Sequence, residues 1–284
     1  MNHDLPETIY SPESQMVNLP GLVHSIFADL LGCRFLAWRL FVRNLSAQYR
    51  QTALGYIWLF LPPIAITLTW VFLNSHNVLN AGATELPYPV FVLTGTLLWQ
   101  GFVDALQAPG QQFQAAKSML TKIHFPHEAL LLAAIGGVLF NFLVRLLLLA
   151  ITLLCYQIPL STNMLFAPIG IFALLSLGFM VGVVLLPLAL LYGDIQRLVM
   201  LITPVWFFLT PVVYPAPTQW PASLLSQLNP ASSLLVTTRQ WLTGTEVTHL
   251  PAFVVITTLT VILFFFGWLI YRLAMPHLIE RIGS

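Results

Sequence analysis

Charge is what this sequence lacks most. Asp, Glu, Lys and Arg make up 7% of its 284 residues, where a soluble domain carries about 25%. A chain this poor in charge and 58% hydrophobic cannot cover itself with a water-facing surface, which excludes a soluble globular protein. Cysteine is scarce as well. Cys33 and Cys155 stand apart from any CxxC or Cys/His spacing, so neither a disulfide framework nor a metal site is indicated. There is no GxxxxGK[ST] phosphate loop, no HExxH and no GxSxG, and therefore no motif for nucleotide binding or hydrolysis. Acids and histidines within the apolar runs are too few for an ion-coupled carrier or a proton pump. Residues 1–20 are polar and proline-bearing, with Asp4, Glu7 and Glu13, the reverse of a basic-then-apolar secretory signal. They read as a flexible tail.

What the sequence does hold is long apolar runs. A hydrocarbon core about 30 Å thick takes about 20 apolar residues of helix, and windows of that kind cover 56–73, 88–106, 129–156, 164–191, 198–214 and 251–271. The expected fold is an all-α integral membrane protein of six transmembrane helices, one membrane domain over 21–284. Lys and Arg set its orientation. Arg34, Arg39, Arg43 and Arg50 precede the first window, and Lys117 and Lys122 lie between the second and third. Arg197 follows the fourth, and Arg272 and Arg281 follow the sixth, in a short C-terminal segment 272–284. Only Arg239 falls on the other side, and Arg145 is inside a span. Positive loops stay in the cytoplasm, so both termini are expected there.

Residues 21–50 read as an amphipathic helix lying in the membrane surface. At about 100° per residue Arg39, Arg43 and Arg50 share a face, while Phe27, Leu31, Phe35, Trp38 and Leu45 point elsewhere. A plain basic flank to the first span is the alternative. Between the fifth and sixth spans, 219–228 and 231–242 are apolar-patterned but too short to cross, and Asn229-Pro230 divides them. They are expected to form two short re-entrant helices, or else interfacial helices anchored by Trp220 and Trp241. Arg145 lies about 24 Å along the axis from Ala129, in the outer half of the membrane. The same count from Tyr88 puts Asp104 at the cytoplasmic edge, so the two are not expected to meet. Arg145 then meets an anionic substrate group, snorkels outward, or pairs with Glu85 or Glu246. His124 and His127 lack carboxylate or thiol company and read as a solvated pair rather than a metal site.

Three blocks carry a family resemblance. The first is Arg43-Asn44-Leu45-Ser46-Ala47-Gln48-Tyr49-Arg50-Gln51-Thr52-Ala53-Leu54-Gly55-Tyr56-Ile57-Trp58, followed by Pro62. The second is Lys122-Ile123-His124-Phe125-Pro126-His127-Glu128, and the third runs from Tyr192-Gly193-Asp194-Ile195 through Trp206 and Tyr214 to Asn229, Pro230 and Arg239. Together they resemble the permease subunits of ABC transporters that export lipid-linked polysaccharides, the branch serving O-antigen and teichoic acid. The blocks look like that family's basic-aromatic approach and LG turn, its K-x-x-F-P-R-E loop and its Y-R-D-I. His127 and Gly193 stand where the family usually has arginine.

The resemblance implies a homodimer in the bacterial plasma (inner) membrane, bound to two copies of a P-loop ATPase that holds ATP and Mg. This chain itself would hold no cofactor, no catalytic residue and no nucleic acid. Its substrate would be a lipid-linked polysaccharide moved to the outer side, among membrane lipids. Residues 114–128 would carry the ATPase coupling helix, with Gln114, Lys117, Lys122, Phe125, Pro126, His127 and Glu128; a topology determinant is the alternative. Arg39, Arg43, Tyr49, Arg50, Gly55 and Trp58 would form the surface helix and first-span entry. A channel at the dimer axis, lined by the first, second and fifth spans, would offer Tyr56, Trp58, Trp70, Trp99, Phe102, Trp206 and Tyr214 to sugar rings, with Arg145 nearby. Aromatic faces suit the apolar faces of sugars, though aromatics at span ends also serve as interface anchors. Trp220, Asn229, Pro230 and Arg239 would belong to an outer gate. Export of a small lipid or drug is a second reading. A membrane-embedded enzyme acting on lipid-linked sugars is a third, but Asp104, Asp194 and Glu246 are too scattered to make an acid–base set.

Overall fold

The computed structural model describes residues 31–50, 53–76, 78, 82, 84–120, 126–159, 161–217 and 219–283, and the regular elements among them are all helical. In chain order these are α1 (Arg34–Arg50), a 3₁₀ turn (Gly55–Leu59), α2 (Leu61–Ser75), α3 (Tyr88–Leu120) and α4 (Glu128–Cys155). A second 3₁₀ turn (Thr162–Phe166) leads into α5 (Ala167–Leu191), followed by α6 (Asp194–Leu209), α7 (Ala222–Leu228), α8 (Pro230–Thr243) and α9 (Leu250–Gly283). Among the described residues four helices are long and apolar enough to cross a bilayer: α3, α4, α5 with its leading turn, and α9. By contrast α2 and α6 have 15 and 16 residues, short of the roughly 20 a crossing takes.

Proline placement explains the two short helices. Pro62 and Pro63 sit in the first turn of α2, where a missing N–H costs nothing. Just upstream Gly55 has φ 51, a value glycine adopts without strain, so the chain enters α2 through a 3₁₀ turn rather than a longer α-helix. At the other end of the fold, Pro211 pushes Thr210 out of the helical region to φ −105, ψ 134, and α6 stops at Leu209.

The second window errs in the other direction. Gln107, Gln111, Gln112 and Gln114 end its apolar run, but glutamine is a good helix former, and α3 continues through Pro109 for 33 residues. That is about 50 Å of rod. Asp104 therefore lies at the middle of α3 rather than near its end. Gln114 and Lys117 occupy its last turns, and Lys122 and Phe125, within the segment 114–128 assigned to coupling, lie outside the described residues. The same continuity holds at the C-terminal end, where α9 runs on to Gly283.

Close backbone approach holds the long helices together. A methyl group at Gly178 of α5 would meet the Phe102 carbonyl oxygen of α3, and one at Gly182 the Leu106 carbonyl oxygen. Small residues spaced four apart allow such contact where dispersion, not exclusion of water, drives helix association. The helices α8 and α9 pack on the rest of α5, and α1 lies on α4. Ala37 and Leu40 of α1 are buried, Phe41 abuts Gly136 and Phe140, and Arg39 and Arg43 are exposed. Within the stretch 21–50 a helix is present from Arg34; the earlier residues to 30, and the side chains of Tyr49 and Arg50, lie outside the described ones. Gly182→Val should cost about 1–3 kcal/mol through overpacking, seen as a lower melting temperature of the detergent-solubilised chain. Gly137→Ala, where an added methyl has nothing within 4 Å, should melt as the parent or slightly higher. Equal melting of the two variants would refute the close α3–α5 contact.

Candidate functional site

Two polar joints and an aromatic cleft interrupt the apolar interior. The first joins α3 to α4. Arg145 Nη1 donates to Asp104 Oδ2 at 2.6 Å, with the side chains 10% and 33% exposed. This corrects the expectation that the two do not meet. That expectation took the end of the apolar window at Leu106 for the end of the helix; with α3 extending to Leu120, Asp104 lies at the level of Arg145 on the antiparallel neighbour. Beside the pair a methyl at Gly101 would meet the Phe142 ring, so the two helices are close there. An unpaired charge at this depth costs several kcal/mol, and the carboxylate rather than outward snorkelling satisfies it.

The second is an aromatic cleft of about 330 Å³ between α2, α3 and α6. Trp70 comes from α2, Trp99 and Gln100 from α3, and Phe207 and Phe208 from α6. Trp99 lies 6.0 Å from Phe207 and 6.1 Å from Trp206, ring centre to ring centre, and Trp70 lies 6.3 Å from Phe208. Asp104 borders this cleft too, and Gln100 Oε1 is buried without a hydrogen-bond partner among the described residues. Of the aromatics singled out in the sequence, Trp70 and Trp99 line the cleft. Phe102 is fully buried, 5.2 Å from Trp206. Tyr214 donates its hydroxyl to the Phe208 carbonyl at 2.7 Å. Tyr56 stands elsewhere, 5.9 Å from Phe140 of α4, and Trp58 is half exposed in the 3₁₀ turn. Sequence reasoning missed Phe207 and Phe208. The sequence held no signal for them, since their place on the cleft depends on how α6 crosses α2 and α3.

The third ties α8 to the end of α6. Asn229 is the N-cap of α8 and Pro230 its first residue, the pairing that a helix start favours. Its Oδ1 accepts from Ala231 N at 3.1 Å and from Trp206 Nε1 at 2.9 Å, while its Nδ2 donates to Thr210 Oγ1 at 2.8 Å. Where α6 stops, the carbonyls of Pro211 and Val212 lack helical donors. Arg239 supplies them: its Nη2 donates to both, at 2.8 and 2.7 Å, and its guanidinium carbon stands 4.0 Å from the Phe91 ring centre. Gly95 makes room, since a methyl there would meet the Val212 carbonyl and the guanidinium. Of the residues assigned to an outer gate, Asn229 and Arg239 are therefore buried joints, while Trp220 is 80% exposed.

The residues assigned to coupling sit at one end of α3 and α4. Gln114 Nε2 donates to the Ala189 carbonyl at 3.2 Å, fastening the base of α3 to α5. Lys117 is exposed, and Pro126 and His127 lead into α4, which Glu128 opens with a negative charge at the helix N-terminus.

Long apolar helices, scarce charge and a paired, aromatic interior define a multi-pass all-helical membrane protein. No family model matches the chain. It is similar to the O-antigen export system permease protein RfbA of Myxococcus xanthus, 28% identical over 214 residues that cover 73% of this chain and 80% of that protein. Two O-antigen export system permease proteins RfbA of Klebsiella pneumoniae are 24% identical over 204 and 205 residues, covering 69% and 70% of this chain and 76% of each relative. These matches bear out the resemblance to O-antigen export permeases carried by the three sequence blocks. Arg239→Lys should cost about 1–3 kcal/mol, because an ammonium cannot keep both carbonyl bonds and the ring contact. The measurement is again the melting temperature in detergent, and a variant that melts with the parent would contradict the role given to the guanidinium.

Proposed function

We propose that the chain is the transmembrane subunit of an ATP-driven ABC exporter that carries O-antigen or a similar lipid-linked polysaccharide from the cytoplasmic to the outer side of the bacterial inner membrane. The observation that carries this is the similarity to three O-antigen export permeases over 69–73% of the chain. ATP and Mg fall to a separate P-loop ATPase, two copies of which serve two copies of the chain. The aromatic cleft supports the path expected from the first, second and fifth spans, since α2, α3 and α6 are the helices that line it. Its flanks on α2 and α6 are apolar and exposed at Leu68, Phe72, Leu201, Val205 and Phe208. A second copy set against them closes the cleft into a channel.

In this arrangement α2 with its 3₁₀ turn, and α6 with residues 210–214, complete six crossings. The short α7 and α8 are the re-entrant pair, and both termini face the cytoplasm with the positive loops. The ATPase docks on α1 and the connection between α3 and α4, where Arg39, Arg43 and Lys117 are exposed. Because α3 is one rod from Tyr88 to Leu120, a push at its base moves Gln114, Asp104 and Trp99 as a rigid body. Affinity purification of the tagged chain should bring down a P-loop ATPase, and deletion should strip O-antigen from the cell surface while finished lipid-linked glycan accumulates inside. Surface glycan that is unchanged, with no ATPase in the purified complex, would overturn the proposal.

A further inference from the structure

We infer that a second cavity, distinct from the aromatic cleft, is a binding site for an uncharged, hydroxyl-rich group, a sugar unit held inside one copy of the chain. It is a half-open cavity bordered by α1, the 3₁₀ turn at Gly55–Leu59, α3 and α4, and measures about 700 Å³. Small-molecule sites commonly occupy about 300–1,000 Å³. From its rim near Ala115 to its inner end at Asp104 it follows α3 for about 16 Å.

The lining is what selects the ligand. Six carboxamides face it: Asn44 and Gln48 from α1, Gln107, Gln111 and Gln112 from α3, and Asn141 from α4. An amide placed in apolar surroundings costs free energy unless it is hydrogen-bonded, and four of the six, Asn44, Gln107, Gln112 and Asn141, are half-buried while Gln48 and Gln111 are exposed at the rim. Asn44 is taken up, its Nδ2 donating to Gln112 Oε1 at 3.0 Å and its Oδ1 accepting from Arg43 at 3.3 and 3.2 Å, and Gln111 Nε2 donates to Gln107 Oε1 at 3.0 Å. The amide nitrogens of Gln107 and Gln112 are left as donors for a ligand. Carboxamides both donate and accept, as hydroxyls do. Trp58, 53% exposed, adds an aromatic face at the wall, the surface on which a pyranose ring stacks.

Charge points the same way. Among the described residues Arg145 is the basic one of the lining, and Asp104 neutralises it at 2.6 Å, which disfavours a phosphate at the inner end; at the rim the Arg43 guanidinium is turned onto Asn44 Oδ1. Arg145 Nε is buried and has no hydrogen-bond partner among the described residues, leaving a donor at the inner end. Asp104 borders this cavity and the aromatic cleft alike, so a sugar held here sits one side chain away from the proposed path. The site rests on the export reading only for where its sugar comes from, a lipid-linked glycan or a membrane glycolipid.

Gly137 provides the probe. It lines the cavity, and an added Cβ there has nothing within 4 Å. Gly137→Cys is made in the full chain with the exposed Cys155 replaced by serine, Cys33 being buried, and the chain is placed in phosphatidylcholine nanodiscs. The rate of maleimide modification is then followed with methyl glycosides of glucose, galactose, mannose and N-acetylglucosamine, and with inorganic phosphate. At least one glycoside should slow modification about tenfold at about ten times its dissociation constant, and phosphate should not. Adding Gln107→Leu and Asn141→Leu should abolish that protection while leaving the unprotected rate in place. Repeating the assay with a polyprenyl-linked sugar or a glucosyl diacylglycerol in the nanodisc assigns the source. Protection by phosphate, protection by no glycoside, or a thiol that maleimide never reaches overturns the inference. The assay uses neither ATPase nor transport, so its failure leaves the export proposal standing, and failure of export leaves its result standing.

Discussion

In an apolar solvent a charge must find its partner inside the protein, and the contact between Asp104 and Arg145 is where this fold meets that requirement. The pair sits near the middle of α3 and of α4. It sets the register of the two helices, because sliding either by a turn would strand both charges at a depth where neither is tolerated. The carboxylate also stands between the amide-lined cavity and the aromatic cleft. One interaction thereby fixes the helix register and marks the boundary between the two spaces a sugar could occupy.

The same requirement shapes the far side of the bundle. Pro211 ends α6 and frees two carbonyls, and Arg239 takes both. Asn229 caps α8 and holds the Trp206 indole in place. Irregular backbone at membrane depth persists only where other parts of the protein satisfy it, and α8 serves that purpose. Its arginine is buried against the segment that follows α6, while Thr238 and Thr243 donate to the carbonyls of α8 itself, Leu234 at 2.6 Å and Arg239 at 2.8 Å.

Much of this was legible in the sequence. Apolar windows located all the long helices, and Asn229-Pro230 marked the start of α8. What misled was taking the end of hydrophobicity for the end of a helix. The glutamines after Leu106 made α3 look short and put Asp104 near its end rather than at its middle. The prolines at 62, 63 and 211 worked the other way, trimming α2 and α6 within windows that looked continuous. Among the site residues, Trp99 and Trp70 could be picked out as aromatics on the second and first spans. Phe207, Phe208 and the six carboxamides could not, because their grouping depends on how α1, α3, α4 and α6 cross.

The most direct measurement is a charge exchange across the central pair, read as surface O-antigen in a strain lacking the native chain. Asp104→Arg alone and Arg145→Asp alone should each abolish surface glycan and deplete the chain from the membrane. The two together should restore a substantial part of both. A double variant as defective as either single one, or a single reversal that leaves the chain in the membrane with normal surface glycan, would contradict the account.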